Sequence, residues 1–272
     1  VIQYPLALGP IVTRVLEAGS GPRHVVCVHG SGSRADRWRP QLPLLEAAGH
    51  HVYAVDLPGH GLASKPVDLD YGAPAMSVLL EELVEHHVGA PVVLFGTSLG
   101  GQVAALLAGR RPDLVRGLVL VGAVGIVARG DDRPATSPVT DPGAAGIRRK
   151  LELLVHDPSL ITEEWVAEEL RVNSSPGAAA ALAAVAEYTA LGQDHDLAAD
   201  ALVAAGVPTL LVWGAEDRWV PLRLGQAAQR VLPGAELVTV PDAGHAPYFE
   251  RPEQFWSAVA PFLAALDTPQ AA

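Results

Sequence analysis

An apolar run, Pro91-Val92-Val93-Leu94-Phe95, leads straight into Gly96-Thr97-Ser98-Leu99-Gly100-Gly101, and helical spacing takes over from Leu99 to Arg110. A strand that becomes a helix within two residues demands a sharp turn. The residue at its apex is held in a strained backbone conformation with its side chain pushed clear of the sheet. Here that residue is Ser98. Side chains two positions to either side would collide with the turn, which accounts for Gly96 and Gly100. The helix starting at Leu99 also directs the positive end of its dipole at the serine.

The flanking sequence repeats the strand–helix alternation. His24-Val25-Val26-Cys27-Val28, Val52-Tyr53-Ala54-Val55 and Leu118-Val119-Leu120-Val121 read as strands. Trp38 to Ala48 and Ala75 to His87 carry helical spacing, and Gly49 ends the first. Short apolar strands separated by helices specify a parallel sheet covered on both faces. The rhythm then stops. From Val124 to Ala205 no strand is evident: Arg129 to Gly146, rich in Gly, Pro, Asp and Thr, reads as a loop. Ile147 to Val155, Thr162 to Val172 and Gly177 to Leu191 read as helices. Strands return at Val207 to Trp213 and Glu236 to Val240, with helices at Pro221 to Val231 and Pro252 to Leu266. The expected organisation is one α/β domain in two parts, 1–123 and 206–272, with a helical insertion at 124–205. No internal repeat is present.

Composition narrows the classes of partner. With 49% hydrophobic and 18% charged residues, the chain of 272 can build a packed core. The 19 Lys+Arg against 30 Asp+Glu give a net charge of −11, which disfavours nucleic acid and anionic membrane surfaces. A single cysteine, Cys27, rules out an internal disulfide framework and any cysteine-clustered metal site. A cytoplasmic location is the expectation. Val1-Ile2-Gln3-Tyr4-Pro5 lacks the basic start and apolar core of a signal peptide. The longest apolar run, Gly117 to Ala128, falls short of the ~18 residues of a membrane span.

A serine hydroxyl is a weak nucleophile unless a base takes its proton and an acid orients the base. Downstream of Ser98, the segment Val212-Trp213-Gly214-Ala215-Glu216-Asp217-Arg218 offers two acids after a strand. Asp217 is preferred over Glu216 for its position after the turn and before Val220-Pro221. After the strand ending at Val121, Gly122 to Ala128 contains no acid, which sharpens the choice. Of the ten histidines, His245 in Val240-Pro241-Asp242-Ala243-Gly244-His245 has the order and loop context of the base. His60, within Pro58-Gly59-His60-Gly61, reads as a turn-stabilising residue, and His156 and His195 as surface groups of the insertion. The turn His29-Gly30-Ser31-Gly32-Ser33 can present the Ser31 N–H to a developing oxyanion, together with the Leu99 N–H. Cys27, flanked by valines, reads as core.

Taken together, these pieces resemble the α/β-hydrolase superfamily: the His29-Gly30 turn, Asp56-Leu57-Pro58-Gly59-His60-Gly61, the Ser98 elbow, the Asp217 loop and the Gly244-His245 loop. The resemblance implies a mostly parallel eight-stranded sheet, with 124–205 as a helical cap. It also implies a serine hydrolase that cleaves an ester-type bond of a small, mostly apolar substrate through an acyl-enzyme, without cofactor or metal. Trp38, Ile126, Trp165, Leu170, Trp219 and Tyr248 are candidate substrate contacts. A homo-oligomer is compatible with the sequence. Within the superfamily, His156 to Glu164 and Trp213 to Pro221 look like stretches of the carbon–carbon bond hydrolases of meta-cleavage pathways. The chain departs from those enzymes in carrying Thr97 where they have asparagine, Ala246 where they have tryptophan and Glu169 near their cap arginine. The alternatives are therefore carbon–carbon cleavage of a diketone or dienoate, a perhydrolase or haloperoxidase-like activity, and, outside catalysis, a ligand receptor. With Glu169 at the arginine's place and Arg171 turned ~200° from it on a helix, neutral substrates are expected to be favoured over carboxylates.

Overall fold

The computed structural model describes residues 1–130 and 139–268. Its centre is an eight-stranded sheet in the order β1-β2-β4-β3-β5-β6-β7-β8. The strands are β1 (Ile2–Leu8), β2 (Ile11–Ala18), β3 (Arg23–Val28), β4 (His50–Val55), β5 (Val92–Thr97), β6 (Val115–Val121), β7 (Thr209–Gly214) and β8 (Glu236–Val240). β2 runs antiparallel to both β1 and β4, and every other pairing is parallel. This is the α/β-hydrolase fold that the sequence implied. β1 and β2 are an addition to the strands read from sequence. Pro5, Thr13, Arg14 and Glu17 interrupt their apolar pattern, and β1 is a largely exposed edge strand.

Period-two alternation divides the core into two layers. From β3 and β5, Val26, Val28, Val92 and Leu94 pack with α2 (Ala73–Glu82) and α3 (Leu99–Arg110). Val25, Cys27, Val93 and Phe95 point the other way, against α1 (Leu42–Ala47) and the C-terminal helix Pro252–Asp267. α1 is shorter than the helix read from Trp38 to Ala48, because Ala35–Trp38 forms a separate tight turn before it. α2 continues in wider π-helical turns over Leu83–Val88 and stops at Gly89 in the left-handed region.

Between β6 and β7 the described residues contain no strand. They form α4 (Ala144–Leu154), α5 (Glu163–Asn173), α6 (Ala178–Glu187) and α7 (Ala199–Ala205). The loop read to Gly146 therefore gives way to helix at Ala144, while 131–138 of that loop lie outside the described residues. Thr162 caps α5 by accepting the Trp165 N–H, with Glu163 and Glu164 in its first turn. α7 lies on α3, where Ala201 meets Gly109. After β7 come α8 (Leu222–Val231), β8, the single turn α9 (Pro247–Glu250) and α10 (Pro252–Asp267). No described helix is long and apolar enough to cross a membrane.

Candidate active site

Sheet register brings three loops together. Thr97 of β5 pairs with Val121 of β6, Val121 with Val212 of β7, and Gly214 of β7 with Val240 of β8. The loops beyond these residues leave the C-terminal edge side by side, where ligands bind in α/β sheets. They carry Ser98, Asp217 and His245. β3, on the other side of β5, delivers the turn from His29 to Ser33 to the same edge.

Ser98 adopts φ 53°, ψ −121°, a region that non-glycine residues avoid. Its N–H donates to Val121 O, and its carbonyl accepts from Gly101 and Gln102 at the start of α3. The glycines earn their places sterically: a Cβ on Gly96 would lie 2.5 Å from Gly100 O, and one on Gly100 would lie 2.3 Å from His29 O. Ser98 is half-buried and lines a cavity with Gly30, Ser31, Ser33, Thr97, Leu154, Trp219, His245 and Tyr248.

His245 Nδ1 lies 2.7 Å from Asp217 Oδ2, in a site where both side chains are almost wholly buried. The other carboxylate oxygen of Asp217 accepts from the Trp219 and Val220 N–H groups, both at 2.8 Å. With its lone pairs so engaged, the carboxylate accepts a proton-bearing Nδ1, leaving Nε2 as the basic nitrogen. Glu216 is exposed, and Arg218 donates to the carbonyls of Glu152 and Val155 rather than pairing with Asp217. Gly122, the first residue after β6, lies against this pair. A Cβ there would lie 2.9 Å from His245 Nδ1 and 3.2 Å from Asp217 Oδ2.

Glu250 was not singled out from sequence. Buried on α9, it accepts the Gly244 N–H on one oxygen and the His156 N–H on the other. His245 N donates to Leu154 O. The histidine loop is thus fastened to the end of α4 at two points. Burial raises the Glu250 pKa above the ordinary carboxylate value, against those hydrogen bonds. No motif announces this residue, because both partners are backbone N–H groups, one of them 94 positions away at His156.

On the opposite wall, His29 is fully buried. Its Nδ1 lies 2.8 Å from Gly30 O, and its Nε2 accepts the Leu57 N–H at 2.8 Å. A carbonyl only accepts, so Nδ1 carries the proton and the ring is neutral. Burial also lowers its pKa. Among the described residues no backbone carbonyl accepts from the N–H of Ser31 or Leu99. His60 is buried, hydrogen-bonded to Pro58 O and pushed down to about 3 by burial, in keeping with a role in the turn. His156 and His195 are exposed. Burial raises the Cys27 thiol well above its usual range, which removes it as a nucleophile.

The candidate substrate contacts separate. Trp219 and Tyr248 line the Ser98 cavity, with the Trp219 ring 5.4 Å from that of His245. Trp38 and Ile126 do not: Trp38 is fully buried and stacked 4.0 Å from Tyr248, and Ile126 belongs to the main core. Trp165 and Leu170 pack between α4 and α5. Trp165 also faces an outer groove with Arg171, its ring 4.2 Å from the Arg37 guanidinium. Glu169, read as standing near the cap arginine of the carbon–carbon bond hydrolases, is itself surrounded by cations. Arg34 and Arg37, just past the Gly30 turn, and Lys150 of α4 all bind its carboxylate. Arg171 is exposed. Among the described residues, no group of three or more His, Cys, Asp or Glu is placed to hold a metal ion.

Comparison with known proteins fits this geometry. The profile of the family described as "Alpha/beta hydrolase family" matches residues 25–258. The chain is 32% identical to the dihydrolipoyllysine-residue acetyltransferase component of the acetoin cleaving system of Pseudomonas putida, over 90% of this chain and 64% of that protein. It therefore spans just under two thirds of that relative's length. It is 30% identical to a pimeloyl-[acyl-carrier protein] methyl ester esterase of Neisseria meningitidis, over 86% of this chain and 90% of that one. Among solved structures it is similar to the 2-hydroxy-6-oxo-6-phenylhexa-2,4-dienoate hydrolase of Rhodococcus sp. strain RHA1. The TM-score is 0.85 and the identity 26%, over 97% of this chain and 98% of that one.

Proposed function

Because the chain belongs to the alpha/beta hydrolase family, we propose that it is a serine hydrolase cleaving an ester-type bond of a small, mostly apolar substrate through an acyl-enzyme. The observation that carries this reading is the meeting of Ser98, on its strained turn, with the Asp217-bound His245 around one cavity. In the proposed mechanism, His245 Nε2 takes the Ser98 proton as Oγ attacks the carbonyl carbon. Asp217 holds the ring and stabilises its charged form. The Ser31 and Leu99 N–H groups receive the oxyanion. The tetrahedral intermediate collapses, His245 delivers its proton to the departing oxygen, and the serine is left acylated. Water, deprotonated by the same histidine, then releases the acid. Trp219 and Tyr248 supply the apolar wall beside the reacting carbon, and no step calls on a cofactor or metal.

A similar esterase supports this choice of bond. The second reading, carbon–carbon cleavage of a diketone or dienoate, is favoured by the likeness to the dienoate hydrolase. Glu169 counts against a carboxylate-bearing substrate, because it already occupies the cations buried beside the turn. Side-by-side assay of neutral p-nitrophenyl esters, lactones and a meta-cleavage dienoate decides between the two. The ester reading expects the higher kcat/KM on the neutral esters, and a dienoate preference overturns it.

A further inference from the structure

The Gly30–Ser31 peptide is the one whose N–H the proposed mechanism uses. A trans peptide is planar, with C=O and N–H pointing in opposite directions, so whatever grips the carbonyl aims the N–H. Gly30 O is gripped twice: by His29 Nδ1 at 2.8 Å and by the Ser33 N–H at 3.2 Å. The Ser33 N–H belongs to the next peptide but one, Gly32–Ser33. The carbonyl of that peptide, Gly32 O, accepts from Lys150 Nζ at 2.8 Å. An unbroken series therefore runs from the Lys150 ammonium to Gly32 C=O, across the peptide to the Ser33 N–H, to Gly30 C=O, and across that peptide to the Ser31 N–H.

Lys150 is not a surface residue that happens to touch the turn. It sits on α4, 5% exposed, and its ammonium is shared between Gly32 O and Glu169 Oε2 at 2.6 Å. Glu169, on α5, is 2% exposed. Its other oxygen takes Arg34 Nη1 at 2.7 Å and Arg37 Nη2 at 2.8 Å. Arg34 is further held by Asp36 and Glu168. Burial alone would raise the Glu169 pKa, but Lys150, Arg37 and Arg34 outweigh it and keep the carboxyl well below its ordinary range. One carboxylate thus anchors the lysine and the segment that follows the turn. So anchored, Lys150 Nζ donates to Gly32 O.

We infer that Lys150 is a positioning residue for the oxyanion site, acting from the helical insertion through two peptide groups on the Ser31 N–H. This rests on the serine-hydrolase reading above. The series does two things. It fixes the direction of the N–H, and the cation at its far end polarises each carbonyl and so strengthens each N–H as a donor, in the manner of cooperative hydrogen-bond chains. Oxyanion stabilisation at Ser98 then depends on the helical insertion being seated, with no group of the insertion touching the reacting atoms in this role.

The test compares Lys150→Met, Lys150→Arg and Glu169→Gln with the parent protein, on a p-nitrophenyl ester. Two inhibitors are added: a boronic acid, which forms a tetrahedral adduct with an oxygen in the oxyanion position, and the carboxylic acid product, which does not. Losing one oxyanion donor outright costs about 10²–10³ in rate, so a donor misaimed and unpolarised should cost about 10-fold. Lys150→Met is expected to lower kcat about 10-fold with KM little changed, and to weaken the boronate by the same factor while product binding stays within about twofold. Lys150→Arg should recover most of the loss. Glu169→Gln breaks the same ion pair but leaves the lysine its carbonyl, so it should lower thermal stability about as much and kcat far less. The inference is overturned if Lys150→Met and Glu169→Gln lose kcat in parallel with their loss of melting temperature, or if boronate and product weaken equally. Should Lys150→Met not fold, Lys150→Gln is read in its place. Ser98→Ala separates the two readings: if it keeps ordinary turnover the serine mechanism fails, whereas unchanged kcat in Lys150→Met with an inactive Ser98→Ala removes the relay alone.

Discussion

The Ser98 side of the site and the Glu169 side are built on opposite plans. Around Ser98, few polar groups meet, and each sits on a short loop leaving a strand end, placed by sheet register. Around Glu169, four charged side chains from three separate segments are buried in contact. The first arrangement leaves a hydroxyl half-exposed on a strained turn, where it is free to react. The second leaves nothing free, because a charge out of water must be paired on every side. Reactivity and anchoring therefore occupy neighbouring walls of one site, and perturbation should affect them differently: chemistry on one side, stability and alignment on the other.

The largest contrast is expected for Ser98→Ala. It should remove turnover, by roughly 10⁶ if the triad acts as a unit, with the melting temperature nearly unchanged. A fluorophosphonate should label the parent at Ser98 and leave the variant unlabelled. Persistent labelling would move the nucleophile elsewhere.

Next comes the acid. Asp217→Asn keeps an oxygen for the Trp219 and Val220 N–H groups but turns an NH₂ toward His245 Nδ1. The ring must then carry its proton on Nε2, the wrong tautomer for a base. A loss in kcat of about 10⁴, as in one well-studied triad enzyme, is expected with little change in KM. Glu216→Gln, at an exposed position, should be close to neutral. The opposite ranking, measured in the same ester assay, would reassign the acid.

On the anchoring side, Glu169→Gln should cost about 3–5 kcal/mol, since it strands buried cations without their counter-ion. Its pH dependence follows from the depressed pKa. The unfolded carboxyl titrates near its ordinary 4.5 and the folded one well below it. The stabilisation is therefore complete above about 4.5 and drains away as pH falls further, because the unfolded chain takes up the proton first. Urea unfolding of parent and variant from pH 7 to pH 3 should show the gap between them narrowing as the solution becomes more acid. A constant gap would mean that the carboxylate charge is not what holds the knot.

The smallest expected effect separates the two tryptophans. Trp219→Leu, beside His245, should raise KM a few-fold and leave stability largely intact. Trp165→Leu removes the ring under Arg37, a contact worth ~1–2 kcal/mol when desolvated, and should lower the melting temperature with KM little changed. If Trp165→Leu changes KM instead, substrate reaches further under the insertion than the Ser98 cavity does.

Wherever local pattern decided the outcome, the fold was legible. The strand, tight turn and helix around Ser98 are written in contiguous residues, and α3 starts and stops at the residues read from sequence, Leu99 and Arg110. Buried parallel strands also announce themselves, because both faces are apolar. β1 and β2 were missed because polar residues and a proline break their apolar pattern: Pro5 lies in the exposed edge strand β1, and Thr13, Arg14 and Glu17 in β2, which runs between β1 and β4. The adjacency of Asp217 and His245 could be expected only from their order after successive strands. The 2.7 Å contact itself required the register of β7 and β8, while the preference for Asp217 over Glu216 was already readable from the turn and Val220-Pro221 that frame it. Trp38 and Ile126 show the converse error. A large apolar side chain looks the same in sequence whether it faces a ligand or the core.

What the sequence determined by itself was therefore the parallel sheet, the helical break within it and the turn that presents Ser98, each set by backbone sterics and periodicity over a few residues. What only the tertiary structure decided was the pairing of charges. Glu169 reads as one acid among several on an amphipathic helix, and Lys150 as one base among others. Their partners lie as far as 135 and 118 positions away, at Arg34 and Gly32. No local rule ties such residues together. Burial does so, because a carboxylate and an ammonium removed from water have to find each other, or a carbonyl, wherever the fold brings them.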